Sequence, residues 1–139
     1  MTLTVADYPL AETRPESVHA RSGKAMSEVT LDAVLAGTVT MEDLRIDASA
    51  LRAQAEIARA AGRPTLARNF ERGAELVAVP QESVMRAYDL LRPGRAATKA
   101  ELVALAEEFK ARHGAVAIAA FIEEAAEVYE ARGLFTRRY

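Results

Sequence analysis

Residues 54–80 read Gln-Ala-Glu-Ile-Ala-Arg-Ala-Ala-Gly-Arg-Pro-Thr-Leu-Ala-Arg-Asn-Phe-Glu-Arg-Gly-Ala-Glu-Leu-Val-Ala-Val-Pro, and this stretch decides the fold class. An alanine-lined helix closes at Gly62. Pro64 opens the next helix at its first position, where a missing N–H does no harm, and that helix runs through Asn69, Phe70, Glu71 and Arg72 to a stop at Pro80. Across residues 50–61 the helical period puts Leu51, Ala55, Ala58 and Ala61 on one face, with Arg52, Glu56 and Arg59 on another. Across 65–79 it aligns Leu66, Phe70, Ala74 and Val77. Gly73 beside them permits close backbone approach at about 1 kcal/mol of helix propensity relative to alanine.

Working toward the C-terminus, Pro80 restarts the chain, and Val84, Tyr88 and Leu91 carry a third helix to Arg92 before Pro93 and Gly94. Thr98 with Glu101 predicts a capping box for a fourth helix with the stripe Leu102, Leu105, Ala106, Phe109 and an end at Gly114. The fifth spans 115–132. Its first part, residues 115–122, is apolar all round and is expected to be buried on several sides, while Glu123, Glu127 and Glu130 face away from Ala125, Val128 and Tyr129. Toward the N-terminus, Thr30 caps a short helix ending at Gly37, and Thr40 with Asp43 caps another. Residues 1–28 scatter Pro9, Pro15 and Gly23 among isolated hydrophobes, so they read as an irregular arm, either laid on a partner or frayed. No strand-like alternation is long enough for a sheet. The expected fold is all-α: a small helical bundle with short accessory helices, organised as an irregular N-terminal arm (1–28) and a single helical domain (29–139).

Composition narrows the function classes. Half of the 139 residues are apolar, but aromatics are only 6% and Trp is absent, so the helices carry small side chains that pack closely and leave little volume for a ligand cavity. A net charge of -2, from 18 basic and 20 acidic residues, provides no field for nucleic acid or anionic lipid. Without Cys there is no disulfide, thiolate nucleophile or thiolate metal site, which suits a reducing compartment. The start lacks a basic segment followed by an apolar one, and the apolar run at 115–122 is far short of the about 20 residues that span a bilayer. A cytoplasmic protein with no membrane or nucleic-acid partner is expected.

No catalytic or metal-binding residue is assigned. His19 sits in the irregular arm and His113 at a helix end, where an imidazole ordinarily packs or answers the helix dipole. Glu123, Glu124, Glu127 and Glu130 repeat at helical spacing, the pattern of a solvated face, and the glycines fall singly rather than in a phosphate loop. Arg68, Asn69 and Arg72 admit two readings: pairing with Glu71 and Glu75 along their own helix, or reaching a partner subunit. Arg92 before Pro93 can satisfy helix-terminal carbonyls.

Several segments together carry a resemblance. Tyr8-Pro9-Leu10-Ala11, Thr30-Leu31-Asp32-Ala33-Val34-Leu35, Asp43-Leu44-Arg45-Ile46, Gln54-Ala55-Glu56-Ile57-Ala58, Ala61-Gly62-Arg63, Asn69-Phe70-Glu71-Arg72, Ala74-Glu75-Leu76, Leu90-Leu91-Arg92-Pro93 and the stretch from Glu124 to Tyr129 follow one another in the order and spacing of a known family. The chain resembles the small (gamma) subunit of the adenosylcobalamin-dependent diol and glycerol dehydratases. It departs from the family pattern at Gly73, where alanine is usual, at Gly94, where an aromatic normally follows Arg-Pro, and by one residue inserted before Thr98.

The resemblance implies a non-catalytic subunit that stabilises and completes an enzyme converting a 1,2-diol to an aldehyde and water. The chemistry would lie on the large subunit, with adenosylcobalamin held by the other subunits and none bound by this chain. The Asp-x-His-x-x-Gly signature of one class of cobalamin-binding domains is absent around His19, which has Ser17 two residues before it. The implied partners are the large (alpha) and medium (beta) subunits, in a dimer of three-chain units. Tyr8, Pro9, Leu10, Arg68, Asn69, Arg72 and Arg92 are the expected interface residues. The close approach of the start to Tyr8 leads to the expectation of a cytoplasmic enzyme rather than one enclosed in a protein-shelled bacterial microcompartment. Taken without the resemblance, the same helices also suit a free-standing helical adaptor or regulatory module.

Overall fold

The computed structural model describes residues 2–136. Residue 1 and residues 137–139, at which the expected segments 1–28 and 29–139 begin and end, lie outside the described residues. Regular structure among the described residues is helical apart from one isolated antiparallel bridge, His19 to Ala25. The chain divides into two compact units, Met1–Val77 and Ala78–Tyr139.

In the first unit, 3-10 turns at Val5–Asp7, Pro15–Ser17 and Met26–Glu28 alternate with the short helices α1 (Leu10–Thr13), α2 (Leu31–Leu35) and α3 (Met41–Leu44) before the hairpin of α4 (Ala48–Ala60) and α5 (Pro64–Leu76). The corner is built as the sequence requires. Gly62 takes φ 73°, Arg63 N–H donates to the Ala58 carbonyl and Gly62 N–H to that of Arg59, a glycine-terminated pair of bonds, and Pro64 starts α5. The hairpin closes on Ala55, Ala58 and Ala67 with Phe70 against them. This shifts the expected stripe of α5. Ala67 is fully buried, while Leu66 is 38% exposed. Ala61 is likewise exposed rather than buried. Contact through alanine methyls brings the two helix backbones together along Ala67, Phe70 and Ala74, and that line turns the bulkier Leu66 to the edge.

In the second unit, α6 (Gln81–Leu91) precedes the hairpin of α7 (Lys99–His113) and α8 (Val116–Ala131). Leu102, Leu105, Ala106 and Phe109 are buried, as the heptad-like spacing predicts, along with Ala115, Ile118, Ala119, Ile122 and Ala126. Gly114 at φ 61° lets the chain leave α7, its N–H donating to the Lys110 carbonyl. The Thr98 hydroxyl accepts from Glu101 N–H at 3.3 Å. The Glu101 carboxylate, however, reaches Ala97 N–H at 2.7 Å, one residue before the expected box partner.

Two expectations in this unit are corrected. Tyr88 is 62% exposed, and Ala87 faces inward instead. The all-apolar start of α8 is not enclosed: Val116 is 57% and Phe121 40% exposed, and Ala120 is exposed too. A two-helix contact covers one stripe of α8, here Ile118, Ala119 and Ile122, and apolar composition cannot recruit a second wall.

Candidate partner interface

The N-terminal segment is pinned, not loose. Thr4 donates its N–H and its hydroxyl to the Asp7 carboxylate at 2.7 and 2.9 Å, and Arg14 bridges the same carboxylate at 2.6 Å. These bonds, the Thr4 N–H foremost, hold the buried Asp7 carboxyl below the usual carboxylate range despite partial desolvation. The Thr13 hydroxyl donates to the Asp7 carbonyl at 2.6 Å, and Leu3 N–H donates to the Glu56 carboxylate of α4 at 3.1 Å.

Between this segment and α4 lies a groove of about 710 Å³, lined among others by Tyr8, Pro9, Leu10, Arg14, Arg52 and Ile57. Three of the expected interface residues therefore meet there. Tyr8 is 65% exposed, and Pro9 and Leu10 are half-buried. His19 lies on the same groove and is exposed.

Arg68, Asn69 and Arg72 project from α5. Arg68 donates to the Thr65 hydroxyl at 3.4 Å and Arg72 to the Asn69 side-chain oxygen at 3.2 Å. Glu71 is engaged across the hairpin by Arg59 of α4. Arg68 and Asn69 are exposed and Arg72 is half-buried. Arg92 belongs to the other unit. It follows α6, is exposed, and lies 4.0 Å from Asp89, which Arg95 also approaches at 3.7 Å.

Several polar anchors escaped the sequence reading. The Tyr129 hydroxyl donates to the Leu91 carbonyl, tying α8 to the end of α6. Lys99, at the start of α7, bridges Glu127 at 2.8 Å and Glu130 at 2.7 Å, which raises its pKa, so two carboxylates read as a solvated face also hold the hairpin. Asp43 is buried. Bonds from the Ser22 side chain, from Thr40 N–H at 2.8 Å and from Lys24 at 3.1 Å lower its pKa to about 2. The Thr40 bond is the cap that the Thr40–Asp43 spacing predicts, but the partners Ser22 and Lys24, some twenty residues away, left no sequence signal.

Among the described residues no group of three or more His, Cys, Asp or Glu side chains is placed to hold a metal ion, and no helix is long and apolar enough to cross a membrane. His113 packs edge-on against Phe109 with ring centroids 5.6 Å apart. The groove lies beside exposed Tyr8 and Arg52 side chains.

Residues 3–136 match the family described as "Dehydratase small subunit". The chain is similar to the propanediol dehydratase small subunit of Citrobacter freundii, with 48% identity over 131 residues covering 94% of this chain and 76% of the relative. It is equally similar to that of Salmonella typhimurium strain LT2, with 48% identity over 128 residues covering 92% of this chain and 73% of the relative.

Proposed function

The chain belongs to the dehydratase small-subunit family, and from that membership we propose that it is the non-catalytic small subunit of an adenosylcobalamin-dependent diol dehydratase, a lyase that converts a 1,2-diol to an aldehyde and water. The observation that carries the reading is 48% identity sustained over 94% of the chain. A free-standing adaptor is not favoured, because the match runs through nearly every helix rather than one reusable motif.

The residues of this chain do not fit the corrin. The groove beside α4 is an open trough, and its imidazole, His19, is exposed on the rim rather than buried where it could act as a shielded axial ligand. Radical chemistry on such a cofactor needs a deep site that excludes water. The cofactor is therefore assigned to the other subunits, and this chain's role is to complete and stabilise the assembly. The partners are the large and medium subunits, in a dimer of three-chain units, in the cytoplasm.

Tyr8, Pro9, Leu10, Arg68, Asn69, Arg72 and Arg92 are the residues proposed to reach the large subunit. Arg72 is the sharpest test, since Asn69 already orients its guanidinium. Removing one partner of a desolvated interfacial ion pair costs about 2–5 kcal/mol, and of an exposed pair under about 1 kcal/mol. Arg72→Ala is expected to leave the circular dichroism of the free chain unchanged and to weaken assembly at least roughly tenfold, about 1.4 kcal/mol, in competition against the unmodified chain. Equal affinity would place Arg72 outside the interface. An unmodified chain that fails to co-purify with the large and medium subunits would sink the whole reading.

A further inference from the structure

The chain carries 3 lysines against 15 arginines, and no cysteine. An ε-amine that sheds its proton is a nucleophile, whereas a guanidinium stays charged at any ordinary pH. Lys24, Lys99 and Lys110 are therefore the side chains that can condense with a simple aldehyde, and all three are among the described residues.

Two of the three are held by carboxylates. Lys24 Nζ lies 3.1 and 3.2 Å from the two carboxylate oxygens of Asp43, whose side chain is 2% exposed, and 3.4 Å from the Ser22 hydroxyl. Before that nitrogen could attack a carbonyl, it would have to give up its proton and leave a buried carboxylate unpaired. Lys99 Nζ sits between Glu127 and Glu130, and these bonds, that of Glu127 foremost, favour its ammonium form. Both of those carboxylates are exposed, so the protection of Lys99 is weaker than that of Lys24.

Lys110 is placed differently. It stands exposed in the last turn of α7, and no ion pair reaches it among the described residues. Glu108, close by on the same helix, is engaged by Arg86 and by Arg112, and His113 packs on Phe109. The Lys110 carbonyl accepts the Gly114 N–H, a bond that an adduct on the side chain leaves intact.

We propose that Lys110 is the carbonyl-reactive site of this chain, where a small aldehyde forms an imine, and that carboxylate partners shield Lys24 and Lys99 from the same reaction. Once its ammonium proton has passed to solvent, the Lys110 nitrogen bonds to the carbonyl carbon. The carbonyl oxygen leaves as water with the two remaining amine hydrogens, and no oxidant or reductant is consumed. That the aldehyde is the enzyme's own product rests on the chain being a subunit of a diol dehydratase. The lysine that reacts holds no ion pair among the described residues, while the two that fasten Asp43 and join α7 to α8 keep their charge.

The test uses the assembled enzyme. Propanal is added at neutral pH with cyanoborohydride, which reduces each imine to a stable secondary amine, and peptide mass mapping follows the adduct at each lysine. Lys110 is expected to react at least about tenfold faster than Lys24, because baring a buried carboxylate opposes deprotonation there, and several-fold faster than Lys99. The variant Glu127→Gln/Glu130→Gln removes two exposed carboxylates and is expected to raise the Lys99 rate toward that of Lys110. In guanidinium chloride the three rates are expected to converge. An unreactive Lys110, a Lys24 or Lys99 that reacts as fast in the folded enzyme, a Lys99 rate unmoved by the double variant, or a preference that persists in guanidinium chloride would each overturn the proposal. A second arm replaces added propanal by turnover of a 1,2-diol, with the reductant added afterwards. Labelling of Lys110 in that arm is the expected result, and aldehyde that forms while Lys110 stays unlabelled overturns the proposal. A complex that labels Lys110 with added propanal yet makes no aldehyde from the diol sinks the dehydratase reading and leaves the site standing, so the two failures are told apart.

Discussion

Gly73 sits in the interior of α5 with an ordinary helical φ, and a Cβ built there would meet one neighbour, the Leu51 Cδ1 of α4, at 3.6 Å. That is van der Waals contact with the end of a flexible side chain, so the close backbone approach suggested by a glycine in the helix does not need the glycine. Alanine should gain about 1 kcal/mol of helix propensity, largely by narrowing the unfolded ensemble. Half-burying one methyl against Leu51 adds up to about 0.4 kcal/mol, half the value of a fully buried methylene. Gly73→Ala is thus expected to stabilise the first unit by about 1–1.4 kcal/mol and to raise its thermal midpoint by roughly 4–11 °C. Circular dichroism at the helical minimum would follow the melt, and urea unfolding should move the midpoint without changing the slope. Gly73→Val, which is larger and stiff in a helix, should forfeit the gain. An alanine variant that melts at or below the unmodified temperature would refute the reasoning, because α4 and α5 would then have to approach more closely than the 3.6 Å separation allows.

Two further outcomes follow from named bonds. Asp43 has a folded pKa lowered to about 2 from 3.8, so its contribution to stability is complete above the unfolded value and is lost as the pH falls through the folded one. Urea midpoints measured between pH 5 and pH 2 should fall more steeply for the unmodified chain than for Asp43→Asn, and parallel curves would remove Asp43 as the cause. Thr98→Ala deletes the side-chain acceptor for Glu101 N–H and should destabilise the second unit by about 1 kcal/mol, with Thr98→Ser restoring most of it in the same denaturation assay.

The sequence determined the local structure, because local structure here depends on nearest neighbours along the chain. Gly62 and Pro64 fixed the corner, Thr98 the start of α7 and Gly114 its end, since each satisfies or withholds a backbone bond within a few residues. The stripe of α7 was legible because Leu102, Leu105, Ala106 and Phe109 are large and regularly spaced. Order and wording along the chain likewise sufficed for the family. Which face of an alanine-rich helix turns inward was decided only by the tertiary structure. Ala67 displaced Leu66, Ala87 displaced Tyr88, and Val116 and Phe121 stayed in solvent, because close helix contact selects small side chains whose hydrophobicity barely registers in a pattern. The groove joining Tyr8 to α4 and the anchoring of Asp43 by Lys24 arise from groups distant along the chain, and the physical reason they were unreadable is that no local propensity encodes which distant partner a side chain meets.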